Sequence, residues 1–156
     1  MSETRPLPPL PEPLPRPTPD AHTHLGATTD KTRLSASELI ERAKAVNVTR
    51  MVDVGDDVES SRVAIEVAQT HPEVIAAIAI HPHNAVDLGD SLPSAMTKLE
   101  ALIGSSDRIR AIGETGLDYH WVRDAEGRAL QKEVFATHIA WAKDAGLALV
   151  IHDRDA

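Results

Sequence analysis

Four short stretches of this 156-residue sequence carry side chains that could work together on a divalent cation. His22 and His24 lie two residues apart. In an extended strand that spacing turns both imidazoles to one side. Two neutral ring nitrogens a few ångströms apart suit a divalent metal. A bare His-x-His pair is more often structural, so its weight comes from its company. His81 and His83 repeat the spacing, Glu114 is followed by Asp118, and His152 is followed by Asp153, Arg154 and Asp155. A carboxylate such as Glu114 has two oxygens and can bridge two cations, whereas an imidazole cannot bridge in this way. Two cations held ~3.5–4 Å apart polarise a phosphoryl or carbonyl oxygen and deprotonate a water near neutral pH. Hydrolysis is the chemistry such a set would serve. Arg154 could meet a substrate phosphate with its planar fork, and reads equally as a solvated loop charge.

The elements around these residues decide whether they can meet. Apolar and β-branched runs predict strands over 20–25, 49–54, 74–80, 108–113 and 147–151. Helical spacing predicts helices over 35–46, 58–70, 92–103 and 129–145. Ser35 with Glu38 three residues on forms a capping box for the first of these. The result is four strand–helix repeats and a fifth strand, which implies parallel pairing. An open doubly wound sheet and part of an eight-stranded barrel both fit. The segment after the first strand begins Gly26-Ala-Thr and lacks the G-x-G-x-x-G phosphate loop, so a dinucleotide fold loses ground. In either fold the C-terminal strand ends build the site. His22, His24, Asp53, Asp56, Asp57, His81, His83, Glu114, Asp118 and His152 all fall at or just past those ends. The opposite ends show Arg50, Glu73 and Arg108, with no histidine beyond His71.

The composition limits the alternatives. There is no cysteine, so thiolate ligation and disulfides are excluded, while 8 His and 24 Asp+Glu leave ample oxygen and nitrogen donors. A net charge of −8 argues against a broad basic surface for nucleic acid, though a bound dication would reverse the field locally. No apolar run approaches the ~18 residues that span a membrane, and the first 19 residues hold no signal-peptide core. A cytoplasmic protein without membrane contact is the expectation. Residues 1–19 contain eight of the eleven prolines and are expected to form a disordered, polyproline-like tail ahead of a domain over 20–156.

Asp20-Ala-His-Thr-His-Leu25, Ile80-His-Pro-His83, Gly113-Glu-Thr-Gly-Leu-Asp-Tyr119 and Ile151-His-Asp-Arg-Asp-Ala156 resemble, in this order, the motifs of the TatD family of metal-dependent deoxyribonucleases. The first motif is shared with the wider amidohydrolase-like barrels, and the last two are more specific. The resemblance implies a TIM-type (β/α)8 barrel and hydrolysis of DNA phosphodiesters by a metal-activated water. It implies two divalent cations (Mg, Mn or Zn), with His22, His24, Glu114 and His152 at ligand positions and Glu114 as the catalytic bridge. Such families also supply a later His and a later Asp from strands beyond the fifth, which this sequence does not reach. Five strands cannot close an eight-stranded barrel. The expectation is a first portion of five strands and four helices, completed by further sequence or by another chain. An inactive truncated remnant is one alternative. An amidohydrolase-like enzyme is another, which the lack of a Lys at any strand end disfavours.

Overall fold

The computed structural model describes residues 7–156. Residues 1–6 of the proline-rich stretch, Pro6 among them, lie outside the described residues. From residue 7 to residue 17 the chain forms neither helix nor strand, as prolines without N–H groups dictate. It is nevertheless tied to the domain. The Leu14 N–H donates to the Val46 carbonyl at 3.0 Å, and the Asn47 side chain donates to the Leu14 carbonyl at 2.5 Å. Arg42 donates to the Pro8 carbonyl at 3.2 Å.

Five strands follow: β1 (Thr18–Thr23), β2 (Val48–Val54), β3 (Val74–Ile78), β4 (Ile109–Asp118) and β5 (Ala148–Arg154). All neighbours pair parallel, in the spatial order β1-β2-β3-β4-β5. A doubly wound sheet reverses its order at a switch point, whereas a barrel adds each strand beside the last. The sequential order is that of a barrel wall, here five strands of it. Pro19 falls inside β1, which is tolerated because β1 is an edge strand.

The helices are α1 (Leu25–Thr32), α2 (Ala36–Lys44), α3 (Val58–Thr70), α4 (Pro82–Asp87), α5 (Leu92–Glu100) and α6 (Ala125–Ala145). Four of them match the expected helices, and α6 begins four residues early. The capping box at Ser35 forms: its hydroxyl accepts the Glu38 N–H at 3.2 Å and Glu38 accepts the Ser35 N–H at 2.8 Å. The helices α1 and α4 were not expected, because neither carries an apolar stripe long enough to read. The Thr28 and Thr32 hydroxyls bond back to carbonyls four residues earlier, and the Asp53 carboxylate accepts the Leu25 N–H that opens α1. Pro82 sits in the first turn of α4, where its missing N–H costs nothing.

One face of the sheet meets the helices. Met51, Val74, Ala76, Ile78, Ile109 and Ile112 pack there with Ile40, Ile65, Leu99 and Val134. Fully burying each such side chain contributes about 1.5–3 kcal/mol. The other face, the inside of the barrel wall, carries a smaller cluster of Val54, Ala77 and Ala111 with Val52 and Val150 against it. The apolar runs of β3 and β5 thus have contacts on both faces, as their composition requires.

Candidate metal centre

The strand ends deliver their side chains to one place. His22 lies in β1, but β1 ends at Thr23, so His24 stands at the N-cap of α1 and not on the strand. The two rings still converge, with Nε2 atoms 3.2 Å apart. Glu114 Oε1 lies 3.3 Å from His22 Nε2 and 3.7 Å from His24 Nε2. The other oxygen, Oε2, lies 3.1 Å from His152 Nδ1. One carboxylate therefore joins the two histidines at β1 to the histidine at β5. His22, His24, Glu114 and His152, the four ligand positions expected, come together.

The hydrogen bonds fix which ring nitrogens can bind a cation. His24 Nδ1 lies 2.7 Å from the Val54 carbonyl, which can only accept. Its proton is therefore on Nδ1, and the Nε2 lone pair faces His22 and Glu114. This carbonyl-anchored imidazole is the arrangement that orients metal-binding histidines. Around His152 three polar neighbours compete for two ring nitrogens. His81 Nδ1 accepts the His83 N–H at 3.1 Å, so a neutral His81 carries its proton on Nε2 and offers it to His152 Nδ1 at 3.2 Å. His152 Nε2 faces Asp118 Oδ2 at 3.1 Å and donates to it. That leaves the His152 Nδ1 lone pair and the Glu114 oxygen, two acceptors, facing each other. These two acceptors would suit a divalent cation, which would relieve their repulsion.

His81 and Asp118 are the residues that sequence reasoning placed at strand ends without giving them a part in the centre. Single nitrogen or oxygen atoms of His81, Asp118 and His152 form a second compact group beside the first. Asp118 serves best as the carboxylate that orients the His152 ring, because the contact uses the nitrogen turned away from Glu114. Burial raises the Asp118 carboxyl, but bonds from the Trp121 N–H and from His152 outweigh it and hold the group below its ordinary value. His81 is lowered, first by burial and then by repulsion from His152. Both directions favour a carboxylate at Asp118 and a neutral imidazole at His81, the protonation that metal binding needs.

Glycines permit this closeness between β4 and β5. At Gly113 (φ 152°) a Cβ would lie 2.5 Å from the Val150 Cβ, and at Gly116 (φ 147°) it would strike the His152 carbonyl oxygen. Behind β4 stands the fully buried His138 of α6. Its Nε2 takes the Ile80 N–H at 3.5 Å, so its Nδ1 proton goes to the Thr115 hydroxyl at 2.8 Å. Burial holds this imidazole down at about 4. Gln131, also buried, accepts the Asp118 N–H at 3.0 Å and donates to the Pro82 carbonyl at 3.1 Å. The helix α6 thus grips the backbone at Asp118 and on either side of His81, and the Thr115 side chain next to Glu114. An apolar stripe predicts α6 but says nothing of these polar grips, which are legible only in three dimensions.

Other acidic strand-end residues have local tasks. Asp53 Oδ1 accepts the Leu25 N–H at 2.8 Å and starts α1, although burial raises its carboxyl. Asp57 caps α3, and Asp56 accepts the Ser60 hydroxyl at 2.7 Å. His83 pairs with Asp87 at 3.2 Å. Arg154 lies at the end of β5 with its guanidinium 5.7 Å from the centre of the Trp121 ring, outside both groups of donors. Among the described residues no helix is long and apolar enough to cross a membrane.

Residues 19–156 match the family described as TatD related DNase. The chain is 42% identical over 140 residues to the "uncharacterized metal-dependent hydrolase TatD" of Mycobacterium tuberculosis, covering 88% of this chain and 52% of that protein. It is 32% identical over 119 residues to the "3'-5' ssDNA/RNA exonuclease TatD" of Cronobacter sakazakii, covering 76% and 43%. The fold is similar to that of YJJV, a TatD homologue from Escherichia coli k12, with a TM-score of 0.71 at 20% identity, over 88% of this chain and 51% of that one. The chain spans about half the length of the curated relatives it matches.

Proposed function

Because the chain belongs to the TatD-related DNase family, we propose that its strand-end centre serves metal-dependent hydrolysis of DNA phosphodiester bonds. The observation that carries the reading is the Glu114 carboxylate, with one oxygen 3.3 Å from His22 and the other 3.1 Å from His152. His22 and His24 on one side and His152 on the other would hold two divalent cations, Mg, Mn or Zn, with Glu114 offering an oxygen to each side. When bound, such cations polarise the phosphodiester and bring a water to hydroxide near neutral pH. Glu114 holds the two halves of the centre in register. The Val54 carbonyl orients His24, and Asp118 orients His152. Arg154, at the rim, is suited to a phosphate of the strand. A relative named as a 3'-5' ssDNA/RNA exonuclease supports a nucleic-acid substrate.

The test is incubation of the chain, extended by the half that its relatives possess, with an end-labelled single-stranded oligonucleotide and Mg²⁺ or Mn²⁺, beside Glu114→Gln; the 156 residues alone are expected to be weak or inactive. Cleavage that needs the cation and falls about 100-fold or more in the variant is expected. Cleavage at an equal rate by the variant, or in the presence of a chelator, would overturn the reading.

A further inference from the structure

Trp121 is the most exposed large apolar side chain among the described residues, at 61%. It is placed by the same residues that shape the metal centre. The backbone N–H of Trp121 donates to Asp118 Oδ1 at 3.1 Å, while the other oxygen of that carboxylate holds His152. The Arg154 guanidinium stands 5.7 Å over its ring, two residues past His152 on β5. The His83 ring lies 6.1 Å away, two residues past His81. His120 meets the indole edge-on at 5.0 Å. Each chain segment that builds the centre around His152 therefore also sends one residue to this rim.

The charges around the ring are sorted. His83 and His120 have carboxylate partners in Asp87 and Asp155, each at 3.2 Å. No ion pair to Arg154 occurs among the described residues. An exposed indole beside an arginine without a carboxylate partner offers a π-face for a base and a donor fork for its phosphate. Stacking needs an unpaired base, since a base inside a duplex has its faces covered.

We propose that Trp121, with Arg154 beside it, is a stacking platform that seats an unpaired nucleobase at the mouth of the metal centre. The inference rests on the nuclease reading and gives that site a preference for single strands. A phosphodiester brought to the centre carries a base on either side, and the platform holds one of them. Base–aromatic contact reads the π-face, so the platform accepts all bases and selects for strandedness.

The test measures binding by fluorescence anisotropy, using the chain in Mg²⁺ and labelled phosphorothioate hexamers, which resist hydrolysis. One probe is oligothymidylate and the other is the abasic oligomer of equal length. The wild-type chain is expected to bind oligothymidylate about tenfold more tightly, and Trp121→Ala to narrow that gap to about twofold or less. Trp121→Phe should retain most of the gap. A gap of full size in Trp121→Ala, or no gap in the wild type, overturns the platform while leaving the metal-bound phosphate reading in place. Failure of both oligomers to bind overturns the platform together with the nuclease reading. An emission shift that follows protein concentration without oligonucleotide, and that Trp121→Phe abolishes while Trp141 remains, would assign the ring to a protein contact and overturn the platform.

Discussion

At the scale of single residues, the tautomers carry the account. His24 can present Nε2 because the Val54 carbonyl takes its Nδ1 proton, and His152 can present Nδ1 because Asp118 takes its Nε2 proton. Asp118→Asn therefore leaves the ligands in place but loosens one of them. A loss of metal affinity of about 10- to 100-fold is expected, read by competition with a chromogenic chelator. An unchanged affinity would show that Asp118 does not orient the ring. His138 gives a prediction about pH. Its folded value of about 4 lies below the ordinary 6.5, so the unfolded chain binds the extra proton between those limits. Stability from this residue is complete above about pH 6.5 and falls as pH drops towards 4, by about 3 kcal/mol in all. The urea midpoint of the wild-type chain should fall through this window more steeply than that of His138→Gln. Parallel pH profiles would contradict the placement of a neutral buried imidazole. The spacing His22-x-His24 was legible in sequence, and so was the pairing with Glu114 and His152. The parts of His81, Asp118 and His138 were not, since they depend on which ring nitrogen faces which neighbour.

At the scale of elements, β4 and β5 decide the geometry of the centre. Expectation placed the end of the fourth strand at Gly113, but β4 runs on to Asp118 and pairs Gly116 with His152. The apolar pattern stops at Ile112, and glycine and charged residues then disguise the extension. The two glycines without a Cβ are what allow β5 so close, at positive φ where other residues are strained. Gly116→Ala should cost at least about 2 kcal/mol, because a Cβ there meets the His152 backbone, which cannot rotate away. Urea unfolding checks the cost, and a substitution that is neutral would contradict the close approach. Likewise α1 and α4 escaped sequence reading because each is short, at eight and six residues, and carries no apolar stripe. The helices α2, α3, α5 and α6 were legible because each has a stripe to bury.

At the scale of the whole molecule, the strand order and the net charge frame the function. The sequential parallel order separates a barrel wall from a doubly wound sheet, a choice the sequence pattern alone left open. A net charge of −8 repels a polyanion, so on the proposed nuclease reading the positive field for DNA would come from the cations themselves and from local groups such as Arg154. Chelation should accordingly weaken oligonucleotide binding as well as stop cleavage. Binding of equal strength with and without chelator would place the nucleic-acid contact elsewhere. The central claim is that one centre, spanning β1 to β5, holds metal. Its most direct test is the dication content of the purified chain by mass spectrometry, beside the His22→Ala/His24→Ala double variant. The account predicts bound dication in the wild-type chain and a clear loss in the variant, whereas equal metal content in the two would contradict it.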